Sequence, residues 1–455
     1  MNNKPLKRIT KPTARLLAVE ILTRIVRENA YSNILLNQAL QKKQLSRVDG
    51  NLLTRLVYGV LQHRLTLEYW LEPFIKGKKL EPWVQQLLLV SLYQLQYLDK
   101  IPARAVLNEA IEIAKSKGHD GVRKFVTGVL HAILRTGVRN FEELQQPTKR
   151  LSIVYSVPEW IINRLQQQVG DKKTIKILSS LAQIPHGAVR VNQSRITVAA
   201  AKKQLMAAGF EVEQSAVFTG SLLLKKGHVL DSPLFQTGKL MLQDESAALV
   251  VDSMQLSGTE QVLDACAAPG GKTMQIADEL TTGQVTALDI HRHKVELIKE
   301  NAKKCDFSAK VKAVTLDARA AGTRFAAQSF AQVLVDAPCS GIGLLRRKPE
   351  IRYEKSPQDS VNLQQIQLEI LESVAPLVAA GGKLTYSTCT ILKTENQDVI
   401  TLFLKKHPEF EQLETTTSLP VKKAGQLALT IYPDEYNSDG FFIATLRRKK
   451  TVEMN

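Results

Sequence analysis

The chain has 455 residues, too many for one ordinary domain, so two or three are expected. Its composition, 44% hydrophobic and 23% charged, is that of a globular protein, and apolar runs as short as Leu87–Val90 exclude a membrane-spanning helix. A net charge of +17 favours a polyanionic partner, nucleic acid ahead of an acidic membrane, because each neutralised phosphate releases counterions.

The opening stretch, MNNKPLKRITKPTARLL, lacks the apolar core of a secretory signal. The expectation is a cytoplasmic protein with no membrane partner. A mitochondrial presequence is the alternative, since no acid precedes Glu20. Four cysteines, Cys266, Cys305, Cys339 and Cys389, form no C-x-x-C pair, so neither a metal site nor a disulfide framework is expected.

Residues 10 to about 138 read as successive helices. Leu17, Ile21, Leu22 and Ile25 recur at helical spacing, as do Leu53, Leu56, Val57, Val60 and Leu61. Trp83 to Leu98 is apolar nearly all round, as a central bundle helix is. Breakers at Gly77–Pro82, Lys100–Pro102 and Lys117–Gly121 separate the helices. No acid, base and nucleophile cluster here. Lys4, Lys7, Arg8, Lys11, Arg15, Arg24 and Arg27 form either an RNA-facing surface or a solvated face. The phrases ARLLAVEIL, AVLNEAIEIAK (Ala105–Lys115) and KFVTGVLHAILR (Lys124–Arg135) resemble the NusB family of RNA-binding antitermination factors. That resemblance implies an all-α, NusB-like RNA-binding domain, placed at 1–140.

From 145 to 235 the texture changes to a small α+β module. Pro158 is expected at the first position of a helix. The strand-like pieces GAVRVNQ, FEVEQ and SLLLKKG then surround the helical TVAAAKKQLMAAG. Arg190, Arg195, Lys202, Lys203, Lys225 and Lys226 are phosphate contacts or ordinary surface cations.

From 236 to 450 strands and helices alternate, which predicts a Rossmann-like, doubly wound α/β domain with its ligand beyond the C-terminal strand ends. The loop LDACAAPGGKTMQIA (Leu263–Ala277) admits three readings. Gly271, Lys272 and Thr273 end a phosphate loop, and Asp336 could be a triphosphatase's second acid. Against this, Cys266 stands where such a loop begins with glycine, and Pro269 has no N–H for a phosphate. A dinucleotide loop, G-x-G-x-x-G, does not fit either. The sulfonium cofactor S-adenosylmethionine suits the small residues Ala267, Ala268, Gly270 and Gly271, which let the backbone come close. Asp289 then falls where a carboxylate binds ribose hydroxyls. Asp317 is expected to end the next strand, facing the adenine, and Asp336 the one after.

Cys339 in DAPCSGIG and Cys389 in YSTCT each follow a strand of this sheet. Two thiols on one rim suit methylation at carbon 5 of a pyrimidine. A thiolate adding to carbon 6 makes carbon 5 able to attack a sulfonium methyl. On chemistry alone either cysteine could attack.

The motifs DACAAPGGKT, DAPCSGIG, STCT and SDGFFIATLRR (Ser438–Arg448) resemble, in order, those of the RNA cytosine-5 methyltransferases. With the NusB-like segment in front, the whole chain resembles the branch that modifies bacterial small-subunit (16S) rRNA. The resemblance implies that Cys389 attacks and that Cys339 assists product release. It puts Cys266, Ala267, Ala268, Pro269, Gly270, Gly271 and Lys272 on the cofactor with Asp289, Asp317 and Asp336, the last also touching the cytosine. The implied partner is small-subunit rRNA, unassembled or partly folded, because the base must leave its stack; the chain is expected to act as a monomer. The same chemistry on tRNA or another rRNA site, and a non-catalytic RNA-binding assembly factor, stay open. Cys266 and Cys305 read as packing residues, and for Lys272, without a phosphate partner, a surface charge at the start of the helix and an RNA contact both stay open.

Overall fold

The periodicity of the first third becomes a series of helices: α1 (Ala14–Glu28), α2 (Ser32–Gln41), α3 (Arg47–Gln62), α4 (Arg64–Ile75), α5 (Pro82–Tyr97), α6 (Ala103–Lys117), α7 (Asp120–Thr136) and α8 (Pro147–Tyr155). The computed structural model describes residues 12–28, 30–42, 45–183, 185–419, 421 and 425–450, so the expected basic positions Lys4, Lys7, Arg8 and Lys11 lie outside it. The chain forms two units, one of residues 1–174 with 348–354, the other of 175–347 with 355–455.

Apolar spacing explains the helical unit. In α7, Val126, Val129, Leu130 and Ile133 are buried at i, i+3, i+4 and i+7, and Gly137 follows with a φ of 72° that favours glycine. α5 is the expected central helix, buried without a break from Gln86 to Gln94. Its polar residues are satisfied within the bundle. Ser91 donates to the Leu87 carbonyl, while Gln94 donates to the Val90 carbonyl and accepts from Arg15.

α9 (Glu159–Ser180), interrupted at Gly170, continues the chain. Pro158 is not its first residue: Ile161 and Ile162 donate to the Pro158 carbonyl, which makes it the capping position instead. β1 (Gly187–Val191), α10 (Val198–Ala207), β2 (Glu211–Gln214), β3 (Ser221–Lys226), α11 (Pro233–Gln236) and β4 (Leu240–Leu242) follow. The four strands form an antiparallel sheet in the order β2-β3-β1-β4, with Val189, Val191, Ala201, Leu205 and Leu222 in its core.

After α12 (Glu245–Asp252) come β5 (Gln261–Asp264), α13 (Gly271–Glu279), β6 (Gln284–Asp289), α14 (Arg292–Cys305), β7 (Val311–Thr315) and β8 (Phe330–Asp336). Next are α15 (Ile351–Glu354), α16 (Pro357–Val374), β9 (Val378–Thr388), α17 (Gln397–Lys406), β10 (Phe410–Leu413), β11 (Leu429–Ile431) and β12 (Phe441–Arg448). They build an eight-stranded sheet in the order β10-β12-β9-β8-β5-β6-β7, with β11 also paired to β12. The strands from β9 to β7 are parallel, and β12 is antiparallel to β9, β10 and β11. The sheet is therefore mixed. The chain leaves β5 toward β6 and returns to β8 on its other side, so the strand order reverses between β5 and β8, where open α/β sheets bind ligands.

The segment around α15 belongs to the helical unit. Glu350 accepts from the backbone N–H and hydroxyl of Ser32, at 3.2 and 2.7 Å. Arg352 is fully buried and donates to the Ser156 carbonyl at 3.0 Å, and the Tyr353 hydroxyl donates to the Leu61 carbonyl at 2.8 Å.

Candidate active site

β5, β6 and β8 are runs of buried apolar residues, as parallel strands covered on both faces must be. Each ends in an aspartate, Asp264, Asp289 and Asp336. Asp289 and Asp336 are the last residues of β6 and β8, as expected. Asp317 lies two residues beyond β7, where it accepts from the Arg319 N–H and caps a short 3-10 turn.

The Leu263–Ala277 stretch leaves β5 and enters α13 at Gly271. Ala267 donates to the Leu288 carbonyl at 2.8 Å and Gly270 to the Ala267 carbonyl at 2.7 Å, which ties the loop to β6 and turns it tightly. Gly270 has a φ of 101°, a conformation that favours glycine. Asn301 holds the Pro269 carbonyl at 3.0 Å. Beneath the loop, Asp264 accepts from Thr273 at 2.7 Å, and burial, with Asp336 nearby, pushes its carboxyl up to about 7.

Lys272 gains a partner that no local motif announces. Its ammonium donates to Asp336 at 2.7 Å and stands 4.9 Å from the centre of the Phe441 ring. Ser387, paired with Asp336 across β8 and β9, donates to the other carboxylate oxygen at 2.8 Å. Asp336 is thus fixed from two sides in a low-dielectric setting.

Cys339 and Cys389 follow neighbouring parallel strands, and their sulfurs stand 3.3 Å apart. The Cys389 sulfur, and then burial, push the Cys339 thiol well above its ordinary range. Cross-bonds hold the two loops in this register. Gly343 donates to the Cys389 carbonyl at 3.0 Å, Gly440 donates to the Gly343 carbonyl at 2.9 Å, and the Ser340 and Thr390 hydroxyls are 2.9 Å apart. A Cβ at Gly343 would collide with the Gly440 carbonyl and come within 2.7 Å of that of Cys389. Glu395 lies beneath them, accepting from the Ser340 N–H at 2.7 Å and the Ser360 hydroxyl at 2.9 Å, with its carboxyl pushed up by burial. Arg347 binds Asp439 at 2.8 Å and Asp244 at 2.6 Å, fixing the loop that leads into β12. Cys305 is fully buried beside the Met241 sulfur, and Cys266 is partly buried with its thiol pushed up by burial.

Family models match three stretches: a 16S rRNA methyltransferase RsmB/F model over 251–447, a NusB family model over 12–135, and an RsmF/B-like ferredoxin-like domain model over 157–230. The probable ribosomal RNA small subunit methyltransferase B of Bacillus subtilis (strain 168) is 44% identical, over 96% of this chain and 99% of that one. The chain belongs to the RsmB/F family of methyltransferases. A relative with the same description from Synechocystis sp. is 32% identical over 96% of this chain and 99% of its own length. A crystal structure described as that of PH0851 matches with a TM-score of 0.83 at 26% identity, over 97% of this chain and all of that one.

Membership makes the chain a methyltransferase whose cofactor is S-adenosylmethionine, with a NusB-like helical domain and a ferredoxin-like module before the catalytic sheet. The site fits that ligand. An added Cβ at Gly271 would meet nothing within 4 Å, so the loop opens onto free space where α13 begins. Asp289 accepts the His291 N–H with one oxygen at 2.8 Å, and the other has no partner among the described residues. Asp317 is less free: both of its oxygens meet Arg319, whose guanidinium holds the carboxyl below its usual range. Among the described residues no helix is long and apolar enough to cross a membrane, and no group of three or more His, Cys, Asp or Glu could hold a metal.

The expectations omitted Glu395, Ser387, Asp244 and the partner of Lys272. Each acts through a residue far away in sequence, so spacing carried no sign of them. Asp439 was within reach, since it lies inside the SDGFF motif.

Proposed function

We propose that this chain methylates carbon 5 of one cytosine in small-subunit (16S) rRNA, in the cytoplasm, as a monomer acting on unassembled or partly folded RNA. The observation that carries the reading is the pair of sulfurs 3.3 Å apart beside the Lys272–Asp336 ion pair, at the reversal of strand order. The names of the relatives from Bacillus subtilis and Synechocystis support the substrate. The domain division 1–140, 145–235 and 236–450 is part of the proposal, and the three matched stretches support it.

Cys266 to Lys272, with Asp289, Asp317 and Asp336, would hold S-adenosylmethionine, which when bound supplies an electrophilic methyl group. The chain's own groups act on the base. The Cys389 thiolate adds to carbon 6 of the cytosine, the 5,6 double bond opens, and carbon 5 becomes nucleophilic. Asp336 hydrogen-bonds the base and favours protonation at N3, with Lys272 at 2.7 Å as the proton source behind it. After methylation the carbon 5 proton must leave so that the Cys389–carbon 6 bond can break. Cys339 assists this step. Its thiol is pushed up first of all by the Cys389 sulfur, a cause relieved once Cys389 is bonded to carbon 6, while burial and the Glu395 charge continue to act.

Bisulfite sequencing of small-subunit rRNA from cells with and without the gene tests the reading. It predicts one 5-methylcytosine that vanishes with the gene and returns with the unaltered gene but not with Cys389→Ala. An unchanged rRNA methylation pattern contradicts it.

A further inference from the structure

The helical unit carries a half-open cavity of about 370 Å3 between α3 and the turn joining α5 to α6. Asn51, Arg55, Tyr97, Leu98, Asp99 and Lys100 line it. We propose that this cavity holds one unpaired nucleotide of the RNA substrate, with the base against Tyr97 and the phosphate between Arg55 and Lys100. The proposal rests on the reading that the substrate is RNA.

Three observations combine. The volume lies in the range of small-ligand sites, roughly 300–1,000 Å3. Tyr97 is a preformed wall: its ring stacks on His63 at 4.2 Å and on Tyr93 at 5.3 Å, so little freedom is left to lose when a base arrives. His63, held neutral by burial with its pKa lowered to about 4, serves there as a ring rather than a charge.

The third observation concerns the cations. In the helical unit Arg24, Arg64, Lys117, Arg123 and Arg139 are engaged with carboxylates, whereas Arg27, Arg47, Lys76, Arg104 and Arg135 have no ion-pair partner among the described residues. What sets Arg55 and Lys100 apart is that they flank the Tyr97 cavity. Arg55 and Lys100 have no ion-pair partner among the described residues, and Arg55 meets only the Tyr93 hydroxyl. Two uncommitted cations beside an immobilised aromatic ring suit a phosphate and a base. An acidic peptide would use the cations but leave the ring idle. Asn51 and Asp99 add a donor and acceptors for a base edge, and the Asp99 charge disfavours a free polyphosphate.

The test crosslinks the full-length protein to unmethylated small-subunit rRNA carrying 4-thiouridine. The expected result is a crosslink in the peptide holding Tyr97 to Lys100. Crosslinks confined to other peptides would overturn the proposal. In methyl-transfer assays the double variant Arg55→Gln/Lys100→Gln should raise KM for the rRNA about tenfold at unchanged kcat and lower the salt slope by about one, as loss of a single phosphate contact requires. Tyr97→Leu should raise KM, and Tyr97→Phe should restore it. Unmoved KM and salt slope in correctly folded variants overturn the cavity while leaving the methylation reading intact. No methyl transfer by the unsubstituted protein sinks that reading instead, and the crosslink still decides the cavity.

Discussion

In the helical unit several buried polar side chains end on backbone carbonyls, whereas at the rim of the large sheet the ionisable groups meet one another. Ser91, Gln94, Arg352 and Tyr353 all donate to main-chain oxygens, which cannot titrate. At the rim, Lys272 meets Asp336, Cys339 meets Cys389 and Arg347 meets Asp244 and Asp439. Both arrangements satisfy buried groups, but only the second lets a proton move between side chains. The difference separates a framework from a reaction centre without reference to any motif.

Substitutions can sharpen or break this contrast. Cys389→Ala should lower methyl transfer by about 10^3-fold or more and leave cofactor affinity unchanged in calorimetry. A variant with near-normal turnover would remove the rim's chemistry. Arg352→Met should destabilise the helical unit by about 3 kcal/mol in urea melts, because it strands the carbonyls that Arg352 holds. The sheet's own transition should not move. Lys272→Met should lower kcat by about 10^2-fold with little change in melting temperature. A large loss of stability with normal kcat would make Lys272 a framework residue like Arg352.

pH should act on the two regions with opposite sign. Burial, then the Arg352 charge, lowers His63 to about 4. Its contribution is therefore complete above the ordinary value near 6.5 and is lost as pH falls from there toward 4, on the order of 3 kcal/mol in all. Asp264, raised to about 7, contributes fully below its ordinary value near 3.8 and loses that contribution as pH rises through 7. Urea titrations of His63→Phe between pH 7 and 4.5 should show a shallower acid loss than the unsubstituted chain. Those of Asp264→Asn between pH 5 and 8 should show a shallower alkaline loss. Equal slopes in either pair would remove the contrast.

Elements with long periodic patterns were legible in the sequence, and short or long-range features were not. α7 and α5 follow from apolar spacing alone. β4 has three residues, too few to show alternation, and it joins the small sheet only by pairing with β1. Glu350 and Arg352 look like surface charges in the phrase KPEIRYE. They are buried because Ser32 and Ser156, far away in the chain, receive them. Likewise the Leu263–Ala277 loop could be distinguished from a phosphate loop by Cys266 and Pro269, while the ion pair of Lys272 became visible only with Asp336 placed beside it.

Trapping the RNA–protein bond tests the central claim most directly. Cys339→Ala is incubated with unmethylated small-subunit rRNA and S-adenosylmethionine, run on a denaturing gel, and the modified peptide is sequenced. The account predicts an accumulating adduct through Cys389, absent from Cys389→Ala and from the double variant. An adduct in Cys389→Ala, carried by Cys339, would contradict it.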